Sequence, residues 1–384
     1  MIPLCRPTIT GNEEKYFLKF ITNTTGHSKS DVLGNDIFYT KCSDWFENIF
    51  TNSKVYLVKS CTHALEMAGQ ISGIQPGDEI ILPSYTYVST ASAFSLLGAK
   101  PVFVDIRPDT MNLDETLIEN AITPRTKIII PVQNAGVPCE MDAIKEIAKK
   151  HNLIIIEDAA YGILSKYKNK YLGTIGDIGC ISFDSSKSIN CSQGGIVIVN
   201  NPELIPKADI IYEIGTNRRA FFNGETEHYE WLGNGSKYKL AELNCAFLFA
   251  QLEKAEEVLL DLNKKQAFYI SEIKRHRLEG IVELPYSSPV YCDNFAQIFY
   301  IKVKDKHERK KLIHHFKKNG IESAFFYVPL HLSKFGKKTG YFSGKDRFTQ
   351  KESERILRLP FYYKINTSDI KKIVLNIKTF YDNK

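Results

Sequence analysis

Short apolar runs rich in valine and isoleucine punctuate the first half of the chain, at Lys54–Val58, Glu79–Leu82, Pro101–Asp105, Lys127–Val132, Leu153–Glu157, Cys180–Phe183 and Gly195–Val199. Runs of this kind predict strands buried on both faces, and several are separated by segments of helical period. Thr62–Gly73 and Met141–His151 are two such segments, the second beginning after Pro138 and ending on lysines that suit a helix C-terminus. Turn chemistry such as Gln75-Pro-Gly-Asp marks the boundaries. The rhythm predicts an α/β chain built on a large, mostly parallel sheet. Further on, Leu240–Leu262 reads as one long helix, Phe295–Val303 alternates like a half-buried strand, His307–Lys318 reads as a helix and Ile321–Val328 as a returning strand. The expected organisation is a large domain over residues 1–254 and a smaller C-terminal α/β domain over 255–384.

Composition agrees with that picture and removes some partners. A chain of 384 residues with 43% hydrophobic and 24% charged content can bury a large core and form two domains. Its 50 basic and 44 acidic residues leave a net charge of +6, but they are interspersed, without the long basic block of a nucleic-acid-binding arm. No nucleic-acid partner is expected. The opening MIPLCRPTITGNEEKYF lacks the pattern of a secretion signal, and no run nears the roughly 18 apolar residues of a membrane span, so the cytoplasm is the expected location. The eight cysteines are scattered without a CxxC pair, which predicts reduced and partly buried thiols.

Candidate chemistry gathers at the strand ends. Asp158 and Lys187 each lie just past a strand-like run. A lysine amine can condense with the aldehyde of pyridoxal 5'-phosphate (PLP), and a buried aspartate can keep the cofactor's pyridine nitrogen protonated, so the pair suggests a PLP enzyme where neither residue alone would. In open α/β sheets ligands collect beyond the carboxyl ends of the strands, and phosphates favour helix N-termini. Ser60-Cys-Thr-His, between the first run and a helix, fits a phosphate cradle built from the amides of Thr62 and His63 and the Thr62 hydroxyl. It equally fits an ordinary helix cap. Pro83-Ser-Tyr-Thr-Tyr places Tyr87 where it could cover a flat heteroaromatic ring.

Taken together, IQPGDEIILPSYTYVSTASAF, GAKPVFVDIRPDTMNLDETLIENAI, KKHNLIIIEDAAYG, ISFDSSKSI, FYVPLH and KESERILRLPFYY resemble the DegT-type nucleotide-sugar aminotransferases, within fold type I of the PLP enzymes. The likeness runs through nearly the whole chain. It implies a homodimer with active sites shared between subunits, and glutamate as amino donor. The acceptor implied is a nucleotide-linked 4-keto-6-deoxyhexose, above all dTDP-4-keto-6-deoxyglucose, in surface-polysaccharide synthesis. Lys187 matches the cofactor-binding lysine and proton shuttle, Asp158 the partner of the pyridine nitrogen, and Tyr87 the stacking aromatic. Thr62, His63 and Ser182 match the phosphate cradle, while Gln133, Arg218 and His331 fall at substrate-facing positions. Arg218 and Arg219 also fit a solvated basic turn.

The chain departs from the family pattern at several of these places. Tyr161 stands where Gln or His usually follows Asp-Ala-Ala, Gln133 and Phe326 replace histidines, and Gln193 replaces a glutamate. Lys237 aligns with an Asn that in many relatives reaches the partner subunit's cofactor phosphate, a place where a lysine can act as a point charge. Two other readings follow from these changes: a non-catalytic relative that binds PLP or a nucleotide sugar, and a PLP-dependent sugar dehydratase. Retention of Lys187 and Asp158 weighs against the first. Lys187 weighs against the second, because those dehydratases carry histidine there.

Overall fold

In a computed structural model of the chain, which describes residues 1–23, 37–286 and 292–383, all seven apolar runs form strands of one sheet. They are β1 (Lys54–Val58), β2 (Glu79–Pro83), β3 (Lys100–Val104), β4 (Thr126–Ile129), β5 (Ile154–Asp158), β6 (Ile178–Ser182) and β7 (Gly195–Val199), joined at the edge by β8 (Tyr341–Phe342). The spatial order is β1-β7-β6-β5-β4-β2-β3-β8, and only β7 runs antiparallel to its neighbours. Successive residues of a strand serve opposite faces. Val55 and Leu57 accordingly join one core with the helices Ile37–Ile49 and Glu242–Leu252, whereas Tyr56 and Val58 join a second core under the helix Cys61–Ser72. Helical layers on both faces explain why β2, β6 and β7 are buried at every position.

The sequence pattern misplaces two elements. Leu240–Leu262 is not one helix but two, Glu242–Leu252 and Ala255–Arg275. Lys254 leaves helical geometry at φ −119°, ψ 12°, and the Glu253 carboxylate at the corner accepts hydrogen bonds from Asn12 Nδ2 at 3.0 Å and Tyr16 Oη at 2.7 Å. Apolar spacing continues through the corner because both helices face the same core, which hides the break. Ile321–Val328 forms no strand, only the isolated bridges Ile2–Ile321 and Ala324–Arg358. Its remaining length runs along the rim of a pocket, where Phe326 and Tyr327 turn inward. A regular antiparallel pair does form between Phe299–Lys302 and Ile356–Leu359, and Lys306–Lys318 is a helix. All eight cysteines are free thiols, six of them buried. Among the described residues no helix is long and apolar enough to cross a membrane.

Candidate active site

The pocket lies beyond the carboxyl ends of β1, β2, β4, β5 and β6 and encloses about 350 Å3. Among its lining residues are Thr62, Tyr87, Gln133, Asp158, Tyr161, Ser182 and Lys187. His63, Arg218, Lys237 and His331 are outside that lining.

Asp158 ends β5, the central strand next to β6, and is 5% exposed. One carboxylate oxygen accepts from Thr90 Oγ1 at 2.7 Å and the other from the Ala160 amide at 3.2 Å. Thr90 is held in turn by Thr86 at 2.7 Å. Burial dominates the electrostatics and raises the Asp158 carboxyl above its ordinary range, against the lowering effect of Thr90, Ala160 and Lys187. A carboxylate in that state gains most from a cation placed against it. The protonated nitrogen of a pyridine ring is such a cation, so this residue fits the cofactor that the sequence predicts.

Lys187 sits in the loop after β6, where its amide donates to Asp184 O at 2.8 Å. Its Nζ is 3.1 Å from the centroid of the Tyr161 ring. Burial alone would raise the Tyr161 phenol, but the positive charges of Lys187 and Arg358, with hydrogen bonds from Lys187 and Tyr327, bring it below its ordinary value. Tyr161 thus presents its ring to the Lys187 amine.

Another part of the pocket lining carries groups that suit a phosphate. Ser60 caps the twelve-residue helix Cys61–Ser72, accepting from the His63 amide at 3.2 Å, and its hydroxyl meets His63 Nδ1 at 2.8 Å. His63 therefore stands outside the pocket lining and holds the helix cap. Thr62 Oγ1 pairs with Ser89 Oγ at 2.7 Å, and the Ser182 hydroxyl also faces the space. Hydroxyls and a helix N-terminus on one wall suit a dianion. The wall depends on Gly195 at the start of β7, where a Cβ would lie 2.7 Å from the Cys61 nitrogen. Gly195→Ala should push the helix start aside, costing about 1–3 kcal/mol of stability and weakening PLP binding. Thermal melts and a PLP titration of the variant check this.

Other predicted residues are engaged elsewhere. The Gln133 side chain faces the pocket wall, but its amide is committed: Nε2 donates to Glu157 Oε2 at 3.0 Å and Oε1 accepts from the Cys139 amide at 2.7 Å. Glu157 is fully buried and also accepts from the amides of Gly173, Ile175 and Gly176, making a satisfied anchor under β5. His331 bridges Ser84 Oγ at 2.6 Å and Asp346 at 3.1 Å, joining β2 to the segment beside β8. Arg218 lies with its guanidinium 5.4 Å from the Phe222 ring, and Arg219 pairs with Asp209 at 2.6 Å. Lys237 is exposed and bridges to Glu213 through its backbone.

Sequence reasoning missed Ser89, Thr90, Tyr327 and Arg358. Thr90 carries a faint signal, since it lies in the first turn of the helix Ser89–Ser95 that follows β2. Tyr327 and Arg358 lie in the stretches FYVPLH and KESERILRLPFYY, but spacing does not report that these two side chains reach the pocket from so far along the chain.

With this geometry in view, the model of the DegT/DnrJ/EryC1/StrS aminotransferase family matches residues 39–378. The chain belongs to that family. Its members depend on PLP, and the fold is that of the fold type I PLP aminotransferases. An uncharacterized protein of Methanocaldococcus jannaschii is 35% identical over 362 residues, covering 90% of this chain and 93% of its own. A solved DegT DnrJ EryC1 StrS aminotransferase from Brucella abortus is 27% identical, with a TM-score of 0.84 over 96% of this chain and 95% of its own. The aminotransferase TlmJ from Streptoalloteichus hindustanus, at 23% identity, shares the fold with a TM-score of 0.86 over 100% of this chain and 99% of its own. In this aminotransferase Asp158, Lys187 and the helix start at Ser60–Thr62 line one pocket.

Proposed function

We propose that this aminotransferase moves an amino group from glutamate to the keto carbon of a nucleotide-linked 4-keto-6-deoxyhexose, with dTDP-4-keto-6-deoxyglucose the acceptor and surface-polysaccharide synthesis the setting. The observation that carries this reading is the convergence of Asp158 and Lys187, from separate strand ends, on one pocket with a phosphate-suited wall. When bound, PLP supplies an electron sink for the carbon that gains or loses nitrogen. Asp158 keeps the ring nitrogen protonated and so deepens that sink. Lys187 Nζ would take a proton from the carbon on one side of the transferred nitrogen and return it to the carbon on the other side, the work of a general base held beside both. Tyr87 would cover one face of the ring, and the Tyr161 hydroxyl would take the place of the Gln or His that usually follows Asp-Ala-Ala. The Gln133 amide is committed to Glu157, the neighbour of Asp158 in β5.

A second copy of the chain completes the site in this reading. Ile214, Tyr229, Trp231 and Leu232 are exposed large apolar side chains, Trp231 at 78%, on the segment that leads to Lys237. Such a patch suits burial against a partner. Lys237 would then reach the partner subunit's cofactor phosphate. Lys237→Ala should weaken PLP retention by about one to two decades, the worth of one charge-assisted contact. Equilibrium dialysis of the variant checks the figure, and unchanged retention removes Lys237 from the site.

The reaction itself is tested by incubating the PLP-loaded protein with 15N-glutamate and dTDP-4-keto-6-deoxyglucose. Mass spectrometry should find 15N in the sugar nucleotide and 2-oxoglutarate as coproduct. An unmodified sugar across dTDP-, UDP- and GDP-linked keto-sugars would remove the reading.

A further inference from the structure

Among the described residues two cations line the pocket, Lys187 and Arg358. Arg358 belongs to the strand Ile356–Leu359, and its backbone is fixed there: the amide donates to Ala324 O at 2.7 Å, and the residue pairs with Tyr300 across the strands. Its side chain is less settled. The residue is 7% exposed, the guanidinium carbon lies 5.3 Å from the Phe326 ring centroid, and the buried Nε has no hydrogen-bond partner. Among the described residues no carboxylate forms an ion pair with it. Its neighbour Arg355, by contrast, is paired with both Glu283 and Glu352.

A buried guanidinium without a counter-charge is costly to the fold, and the cost is recovered only when an anion arrives. The planar fork of arginine suits a carboxylate, which it can hold through two parallel hydrogen bonds. Position narrows the choice of anion. Tyr161 feels the charges of both Lys187 and Arg358, and the Lys187 amine rests on its ring, so both cations serve one small volume. A group bound by Arg358 is therefore close to the atom on which Lys187 acts. On the aminotransferase reading above, the amino donor carries a carboxylate on the reacting carbon itself, whereas the diphosphate of a sugar nucleotide is separated from its keto carbon by most of the hexose ring.

We infer that Arg358 receives the α-carboxylate of the amino donor and makes the enzyme selective for α-amino acids over simple amines. The residue also sets the orientation of the donor's α-carbon toward Lys187.

Arg358→Gln and Arg358→Lys test this in the PLP-loaded enzyme, with the glutamate half-reaction followed by the change in cofactor absorbance. The comparison amine is 4-aminobutyrate, whose amino-bearing carbon has no carboxylate. Wild type should prefer glutamate by about 100-fold or more, Arg358→Gln by less than about tenfold, and Arg358→Lys should fall between them. Cofactor-free Arg358→Gln should melt at the wild-type temperature or above it, because the change removes an uncompensated buried charge. A full glutamate preference in Arg358→Gln overturns the inference. So does a melting temperature lowered by several degrees, which marks a structural role, or a loss confined to sugar-nucleotide affinity, which assigns the residue to the diphosphate. If wild type does not react with glutamate at all, the proposed amino donor is wrong rather than the site. Calorimetric titration with glutarate then decides: affinity about 10–100-fold weaker in Arg358→Gln supports a carboxylate site, and equal affinity overturns it.

Discussion

Lys187→Ala should lose at least about 10^4-fold in transamination rate, since in the proposed mechanism it removes both the amine that carries the cofactor and the base that moves the proton. The variant should still fold. Lys187 is partly exposed in a loop after β6, and its main side-chain contact is the face of Tyr161. Its melting temperature should therefore stay close to that of wild type, and PLP should still bind through the wall around Ser60, Thr62 and Ser182. Single-turnover kinetics with glutamate, together with a PLP titration, check both parts. A variant that keeps a tenth of the wild-type rate would place the proton transfer on another group.

Asp158→Asn should slow the same half-reaction by about 10^2–10^3-fold, because it preserves shape while withdrawing the charge that favours a protonated ring nitrogen. Stability should respond in the opposite sense. Burial raises the Asp158 carboxyl in the folded chain, so folding takes up a proton between the ordinary carboxylate range and the raised value. The wild-type contribution to stability is greatest below that window and declines as pH rises through it. Asn has no such decline. Urea denaturation of the cofactor-free proteins should thus show Asp158→Asn gaining on wild type as pH rises through the window, then holding a constant difference above it. A difference that is flat with pH would mean that Asp158 titrates as it does in the unfolded chain.

The sheet was legible because strands buried on both faces leave uninterrupted apolar runs, and every one of the seven became a strand. Beyond residue 240 the pattern was less informative. Apolar spacing carries across the corner at Glu253–Lys254, since a bend that keeps the same face inward leaves the period nearly intact. Ile321–Val328 has the composition of a strand but lacks a continuous neighbour to pair with, so only two bridges form. The site divides along similar lines. Asp158 and Ser182 end strands, and Lys187, Thr62 and Tyr87 lie within a few residues of a strand's carboxyl end, where α/β sheets bind ligands. Tyr327 and Arg358 enter from the far part of the chain, and spacing cannot report a contact of that kind. Gln133 was legible as a position but not as a role, because its hydrogen bonds to Glu157 and Cys139 depend on loops that only the fold brings together.

The central claim is that Lys187 is the residue to which the cofactor is joined, and chemical trapping tests it most directly. The protein is loaded with PLP, reduced with borohydride, digested and mapped by mass spectrometry. The expected result is one phosphopyridoxyl group per chain, on the peptide containing Lys187, with no such label in Lys187→Ala. Label on a different lysine, or no covalent label on protein that has bound PLP, would contradict it.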